Sequence, residues 1–274
     1  MNIQNSSIAQ IREHIGQLAR QVSPNSEHDE VYMALKDIII CLEKDSRKGS
    51  KSLIRYANRI IESHNHWQQM MAHEKELMKN GYKLVAGVDE AGRGPLAGPV
   101  VAASVILDYS TFIPCINDSK KLSESRRESL YDEIQQKAIA IGIGIVDVAT
   151  IDRINILRAS LEAMCQAVQT LPVQPNFLLV DGLYCPNVNI PMKPLVRGDS
   201  LSLAIASASI IAKVTRDRMM DGYDETYPQY GFSQNKGYPT PDHLSALKCF
   251  GPCEIHRRSF APVAEKLSQF KISF

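Results

Sequence analysis

Apolar positions recur with two different periods along this chain, and the change falls near residue 80. Before it, Ile8, Ile11, Ile15 and Leu18 return every three or four residues, the spacing of one helix face. Ser23-Pro24-Asn25-Ser26 interrupts that face. Residues 31–42 then predict a second helix, and residues 50 to about 78 one or two more. Pro24 is the one proline ahead of residue 80, and Gly16 and Gly49 are the only glycines ahead of Gly81. Asn80-Gly81 is a turn signal, so a helical segment 1–80 is expected to precede a second domain, 81–274.

Beyond Tyr82 the pattern becomes that of strands. Residues 84–88, 100–107 and 139–148 are rich in β-branched side chains. Gly92, Gly94 and Gly98 lie between the first two runs and predict a loop or bulge. Residues 123–137 and 152–170 predict amphipathic helices, with a short apolar run at 177–180 that suits a buried central strand. A long helix dense in Ala, Ser and Ile is expected over 199–220, its small side chains allowing close packing on a sheet. Strands, helices, one buried strand and further helices make an α/β layered fold.

Composition narrows the class. A chain of 274 residues with 44% hydrophobic residues can build a real core. The formal net charge of +1 gives no global basic field, so any contact with nucleic acid rests on local charge. Six cysteines, at 41, 115, 165, 185, 249 and 253, form no disulfide framework. Cys249, Cys253, His243 and His256 have the chemistry for zinc but not the spacing of a ribbon or finger. No apolar run is long enough to span a membrane, and the first residues lack the apolar stretch of a signal peptide. A cytoplasmic protein with reduced thiols is the expectation, and nothing demands more than a monomer.

Four carboxylates stand at predicted element ends. Asp89-Glu90 terminates the first strand, where adjacent side chains share one site only at a strand end or bulge. Asp181 closes the buried run ahead of Gly182, and Asp199 sits where the long helix opens. Singly, these lean toward the plainer readings of a solvated strand end, a turn Asp and an N-cap. Together they would repel one another unless cations intervened. All-oxygen ligands select Mg²⁺ or Mn²⁺, and two such ions about 4 Å apart serve phosphodiester cleavage. Asp217 lies 18 residues beyond Asp199, about 27 Å along a helix, and is expected to be structural, paired with Arg216, Arg218 or a neighbouring element.

Gly87-Val-Asp-Glu-Ala-Gly-Arg-Gly-Pro-Leu-Ala-Gly-Pro-Val100 resembles the signature of ribonuclease HII. Asp118-Ser-Lys-Lys-Leu122, Leu179-Val-Asp-Gly182, Gly198-Asp-Ser200 with Ala212-Lys-Val-Thr-Arg-Asp217, and Lys236-Gly-Tyr-Pro-Thr240 follow in that family's order. The resemblance covers roughly residues 82–262. It implies a ribonuclease-H-like mixed five-stranded sheet flanked by helices, with a helical C-terminal part and, here, a helical N-terminal extension. It implies an Asp-Glu-Asp-Asp cluster at Asp89, Glu90, Asp181 and Asp199, holding two Mn²⁺ or Mg²⁺ ions. It further implies that the loop Gly92, Arg93, Gly94 and the ring of Tyr238 meet the ribonucleotide at an RNA–DNA junction, where a 2′-hydroxyl separates RNA from DNA. The expected substrates are RNA–DNA hybrids and duplex DNA with embedded ribonucleotides, cut 5′ to the ribonucleotide to leave a 3′-hydroxyl and a 5′-phosphate.

Lys120, Lys121, Lys213 and Arg216 are candidate phosphate contacts, or ordinary surface charges. In the extension, Lys44, Lys48, Lys51, Arg55 and Arg59 recur at helical spacing, opposite Leu53, Ile54, Ala57, Ile60 and Ile61. That stripe suits a nucleic-acid backbone or simply a solvated helix exterior. Gln269-Phe-Lys-Ile-Ser-Phe274 reads first as a frayed tail, with a faint similarity to peptides that dock on sliding clamps. Three other readings remain: a binding protein of this fold without chemistry, the sister enzyme ribonuclease HIII, which has a different loop at Gly92-Arg93-Gly94, and another metal-dependent nuclease or integrase of the same superfamily.

Overall fold

The computed structural model describes residues 3–21, 30–110, 112, 113, 116, 119 and 122–272. The chain forms two compact units, Met1–Ala72 with Asp108–Ile116, and His73–Leu107 with Asn117–Phe274.

The first unit is helical. Helices α1 (Ile8–Gln21), α2 (Glu30–Glu43) and α3 (Ser50–Met70) bury the periodic residues Ile11, Ile15, Leu35, Ile38, Leu42, Leu53 and Ala57 in one cluster. Returning chain at 108–116 brings Phe112 edge-on to Trp67, ring centroids 5.8 Å apart. The basic stripe is shorter than its spacing suggested. Lys51, Arg55 and Arg59 are exposed on α3, whereas Lys44 and Lys48 lie in the connection ahead of it, where helical periodicity does not apply.

The two compact units divide between Ala72 and His73, at the first residue of α4 (Ala72–Lys79). Leu77 of α4 packs with Val85, Leu179, Leu195 and Ile205, so this helix belongs to the sheet unit. Strands β1 (Val85–Ala91), β2 (Val100–Leu107), β3 (Ala138–Val146), β4 (Phe177–Asp181) and β5 (Met192–Leu195) form one sheet in the order β3-β2-β1-β4-β5. β1 and β3 run antiparallel to β2, while β1, β4 and β5 run parallel.

Between the strands run α5 (Glu124–Lys137), α6 (Val148–Ile154) and α7 (Ile156–Gln169). The single helix expected over 152–170 is two, because Asn155 takes a left-handed φ of 67° and its side chain caps α7 at Arg158 N. α8 (Leu203–Thr226) follows β5, then α9 (Phe232–Asn235), α10 (Pro241–Phe250) and α11 (Ala261–Ile272). α7 covers one face of the sheet, with Ala159, Ala163 and Ala167 packed among Ala86, Val88, Ala102 and Val180. α8 covers the other. At Gly87 a Cβ would lie 2.0 Å from the backbone carbon of Ala204, so only glycine lets α8 approach β1 this closely.

The resemblance implied five strands, but no periodicity marked β5. It is four residues long, at the sheet edge, and contains Pro194. The side chains of 269–272, and residues 273 and 274 altogether, lie outside the described residues, and the clamp-peptide expectation falls there.

Candidate active site

The first two acids share a site because β1 loses one neighbour before the other. Pairing with β4 ends at Val88↔Val180, while pairing with β2 continues through Glu90↔Ala102 to Ala91↔Val101. Asp89 and Glu90 therefore sit on a strand that is held on one side and open on the other, beside Asp181 at the end of β4. Asp89 lies on the α8 face with Gly87, and the nearby Ser209 hydroxyl favours its charged form. Two residues of strand and five of helix advance by similar lengths, so the approach at Gly87–Ala204 carries Ser209 to Asp89. Ser119 Oγ lies 2.9 Å from Ser209 Oγ, extending the chain of hydroxyls.

A pocket of about 240 Å³ opens over these groups. Asp89, Glu90, Gly92, Arg93, Gly94, Ser119, Asp181, Ser209, Lys213 and Tyr238 line it, so eight of the residues singled out from sequence meet in one place. Asp199 is buried and is not among the lining residues. Its neighbour Gly198 donates its N–H to Asp181 Oδ1 at 2.7 Å, which ties the turn carrying Asp199 to the β4 acid. Asp199 does not cap α8. It lies in a 3-10 turn, Gly198–Ser200, and Ser202 is the cap, its side chain accepting from Ile205 N. Lys120 and Lys121 fall outside the described residues.

Electrostatics mark the cluster as short of positive charge. Burial, then the charges of Glu90 and Asp181, raise the proton affinity of Asp89 well above that of a free carboxyl. Burial raises Glu90 as well, opposed by Arg93, whose Nη1 lies 3.3 Å from Glu90 Oε1. Lys213 is engaged elsewhere, 2.7 Å from Asp217 Oδ1. That pair also corrects the partner expected for Asp217, which is Lys213 one turn away and not an arginine. The hard oxygen donors fit Mg²⁺ or Mn²⁺. Among the described residues no three Asp, Glu, His or Cys side chains are already gathered closely enough to hold one ion. The site is an open acidic bay, not a preformed cage.

Two buried arginines organise the loop of this site. Arg216, expected as a phosphate contact, is instead 1% exposed and donates to the carbonyls of Ala97, Pro99 and Lys236. Arg257, which no motif marked, is 0% exposed and donates to the carbonyls of Gly92, Arg93, Pro95, Gly98 and Pro99. A planar fork with five donors suits a loop whose carbonyls turn inward. Gly92, at φ 101°, lies against Arg216, where a Cβ would come within 2.3 Å of Nε. Nothing local in the sequence distinguishes these arginines from surface ones.

The sheet order, with acids at the ends of its two central strands, places the chain among ribonuclease-H-like proteins. It superposes on the crystal structure of ribonuclease H2 from Pyrococcus horikoshii OT3 with a TM-score of 0.59 and 27% identity, over 69% of this chain and 99% of that one. The ribonuclease HII of Archaeoglobus fulgidus, solved as a complex with PCNA, matches with a TM-score of 0.54 and 25% identity, over 65% of this chain and 96% of that one. Residues 86–263 match the family described as Ribonuclease HII. A ribonuclease HII of Syntrophus aciditrophicus is 58% identical over 187 residues, 68% of this chain and 88% of its own. One from Acetivibrio thermocellus is 51% identical over 219 residues, 80% of this chain and 84% of its own. That match is longer than the stretch from residue 86 to 274 and so enters the N-terminal unit. The chain belongs to the ribonuclease HII family and is an endoribonuclease. Among the described residues, no helix is long and apolar enough to cross a membrane.

Proposed function

We propose that this chain hydrolyses the RNA strand of RNA–DNA hybrids and incises duplex DNA 5′ to single embedded ribonucleotides, leaving a 3′-hydroxyl and a 5′-phosphate. The observation that carries the reading is the meeting of Asp89, Glu90 and Asp181 with Gly92-Arg93-Gly94 and Tyr238 around one pocket. Carboxylates alone would suit any divalent cation. Beside a glycine loop and an aromatic ring that can face a sugar, they suit a nucleotide.

Asp89, Glu90, Asp181 and Asp199 would hold two Mg²⁺ or Mn²⁺ ions. When bound, such ions supply an activated water and stabilise the leaving oxygen. The rest is the work of side chains. Ser209 orients the Asp89 carboxylate, and the Gly198 N–H orients that of Asp181. Gly92 and Gly94 let backbone approach a 2′-hydroxyl, and Tyr238, 42% exposed, offers its ring to the adjoining sugar. Lys213, which lines the pocket with its Nζ 5.8 Å from the Tyr238 ring centroid, would exchange its Asp217 partner for a substrate phosphate, and Arg93 lines the same pocket. The exposed Lys51, Arg55 and Arg59 of α3 add contacts to the duplex backbone without taking part in the chemistry.

Cleavage of a duplex carrying one ribonucleotide, against an all-DNA control, tests the reading with Mg²⁺, Mn²⁺ and excess chelator. The expected result is a metal-dependent cut 5′ to the ribonucleotide. Cutting of long hybrids alone would withdraw the single-ribonucleotide assignment, and no cutting of either would leave a binding role.

A further inference from the structure

His243 and His256 carry no role readable from the sequence, and the structure makes them partners. Both are buried, at 0% and 1% exposure. Their Nε2 atoms are 3.0 Å apart. His243 Nδ1 lies 2.8 Å from the Tyr238 carbonyl oxygen. His256 Nδ1 faces the Cys253 N–H at 3.0 Å and the Cys253 thiol at 3.1 Å.

One arrangement of protons on two neutral rings satisfies these contacts. His256 Nδ1 meets the Cys253 N–H, which can only donate, so it accepts, and the ring proton sits on Nε2. That proton is donated to His243 Nε2, which must then be bare. The His243 proton therefore sits on Nδ1 and is donated to the Tyr238 carbonyl. The result is a directional line of hydrogen bonds from Cys253 N–H to Tyr238 O. Burial lowers the proton affinity of both rings, His256 to about 4, in keeping with two neutral imidazoles.

Each end of the line is fastened to one wall of the substrate pocket. At the His256 end, Ala97 pairs with His256, Gly98 N–H donates to Ile255 O, and Arg257 N–H donates to Leu96 O, all in the loop that continues from Gly94. At the other end is Tyr238, whose ring faces Gly94. A Cβ on Gly94 would lie 3.6 Å from Tyr238 Cε1. Leu96 N–H donates to Gly237 O and gives the two walls a second tie.

We propose that the His256–His243 pair is a positioning device that sets the slot between Gly94 and Tyr238, and so the discrimination for a ribonucleotide at the junction. The proposal rests on the reading of Tyr238 as a contact to the ribonucleotide. It gives two otherwise unused histidines a role in specificity, exerted through Tyr238 and not on the reacting atoms.

The test has two parts. On the intact protein, ¹⁵N spectra of the histidine rings should show His243 protonated on Nδ1 and His256 on Nε2. The opposite tautomer on either ring overturns the proposal without any variant. Kinetics then compare kcat/KM on a single-ribonucleotide duplex with that on a long RNA–DNA hybrid. His243→Leu should lower that ratio, by up to about 100-fold for an ångström of misplacement. His243→Gln keeps one donor and one acceptor and should restore much of it. Equal loss on both substrates in both variants means a merely structural pair and overturns the proposal. Tyr238→Ala separates the two layers: an unchanged ratio in that variant refutes the Tyr238 reading itself. A changed ratio there, with none in His243→Leu, refutes only the positioning role.

Discussion

Two buried carboxylates flank the same helix and behave differently. Asp89 lies under the body of α8 and Glu74 under its first turn. Burial raises the proton affinity of both, that of Glu74 to about 7. Their surroundings separate them. Asp89 has Glu90 and Asp181 as like-charged neighbours and opens onto the pocket. Glu74 is sealed: Oε1 accepts from Ser202 Oγ at 2.6 Å and from Ala204 N at 3.1 Å, and Oε2 has no hydrogen-bond partner among the described residues. Several carboxylates around an open bay suit completion by cations. A lone carboxyl sealed beneath a helix end is completed by a proton and the helix N–H groups. Burial of an acid therefore does not identify a site, whereas its company and its access do.

Asp89→Asn should break the comparison most sharply. Loss of a carboxylate proposed to hold a metal ion is expected to lower kcat by about 10³-fold, roughly 4 kcal/mol. In the absence of divalent ions the same variant should melt higher than the parent, because one buried like charge is gone. A metal-free melting temperature that falls would show Asp89 to be held mainly by interactions within the fold.

Glu74→Gln should act on stability alone. A group that binds its proton more tightly when folded loses stability as pH rises from the unfolded pKa to the folded one. For Glu74 that window runs from 4.5 to about 7, and the loss is roughly 3 kcal/mol. The variant should lack this decline while cleaving normally. His256 has the opposite sign, since its folded pKa is depressed to about 4, and costs stability as pH falls from 6.5 through that value. Melting curves of both proteins from pH 4 to 8 therefore separate the two groups. An identical slope in parent and variant would mean that Glu74 is ionised in the fold.

A matched pair of smaller changes sharpens the contrast further. Ser202→Ala removes both the α8 cap and a hydrogen bond to Glu74 and should cost about 1–2 kcal/mol of stability, with little change in cleavage. Ser209→Ala removes the hydroxyl that orients Asp89 and should weaken the metal dependence of cleavage about tenfold with a smaller change in melting. Reversal of the two outcomes would mean that the hydroxyls of α8 have no division of labour. The smallest effect is expected from Lys51→Gln, Arg55→Gln and Arg59→Gln combined. If these residues meet phosphates, log affinity should depend less steeply on log salt, by up to about 0.9 for each phosphate no longer neutralised.

Much of this was legible in the chain before any coordinates. The i, i+3, i+4 recurrence of Ile11, Ile15, Leu35 and Leu42 fixed the core of the helical unit, because helix burial is a local, periodic property. The apolar run of β2 and the short run ending at Asp181 read correctly for the same reason. The motif around Asp89 and Glu90 pointed to the acids that meet in the pocket, with Asp199 close by. Other features depend on distant partners. Arg216 and Arg257 look like any surface arginine until the loop 92–99 folds its carbonyls around them. β5 has no signature because a short edge strand with a proline is defined by its neighbour. Glu74 and Ser202 are 128 residues apart, and His243 and His256 become a pair only when α10 meets the segment after it.

By itself, then, the sequence determined most of the elements and pointed to the class of chemistry and to the acids proposed to carry it, since residue type and short-range spacing encode those directly. Tertiary structure alone decided which side of β1 is open, which buried acid opens onto the pocket and which is sealed beneath a helix, and how the glycine loop is held against Tyr238. Those outcomes depend on burial and on hydrogen-bond partners brought together from far along the chain, and no local pattern specifies them.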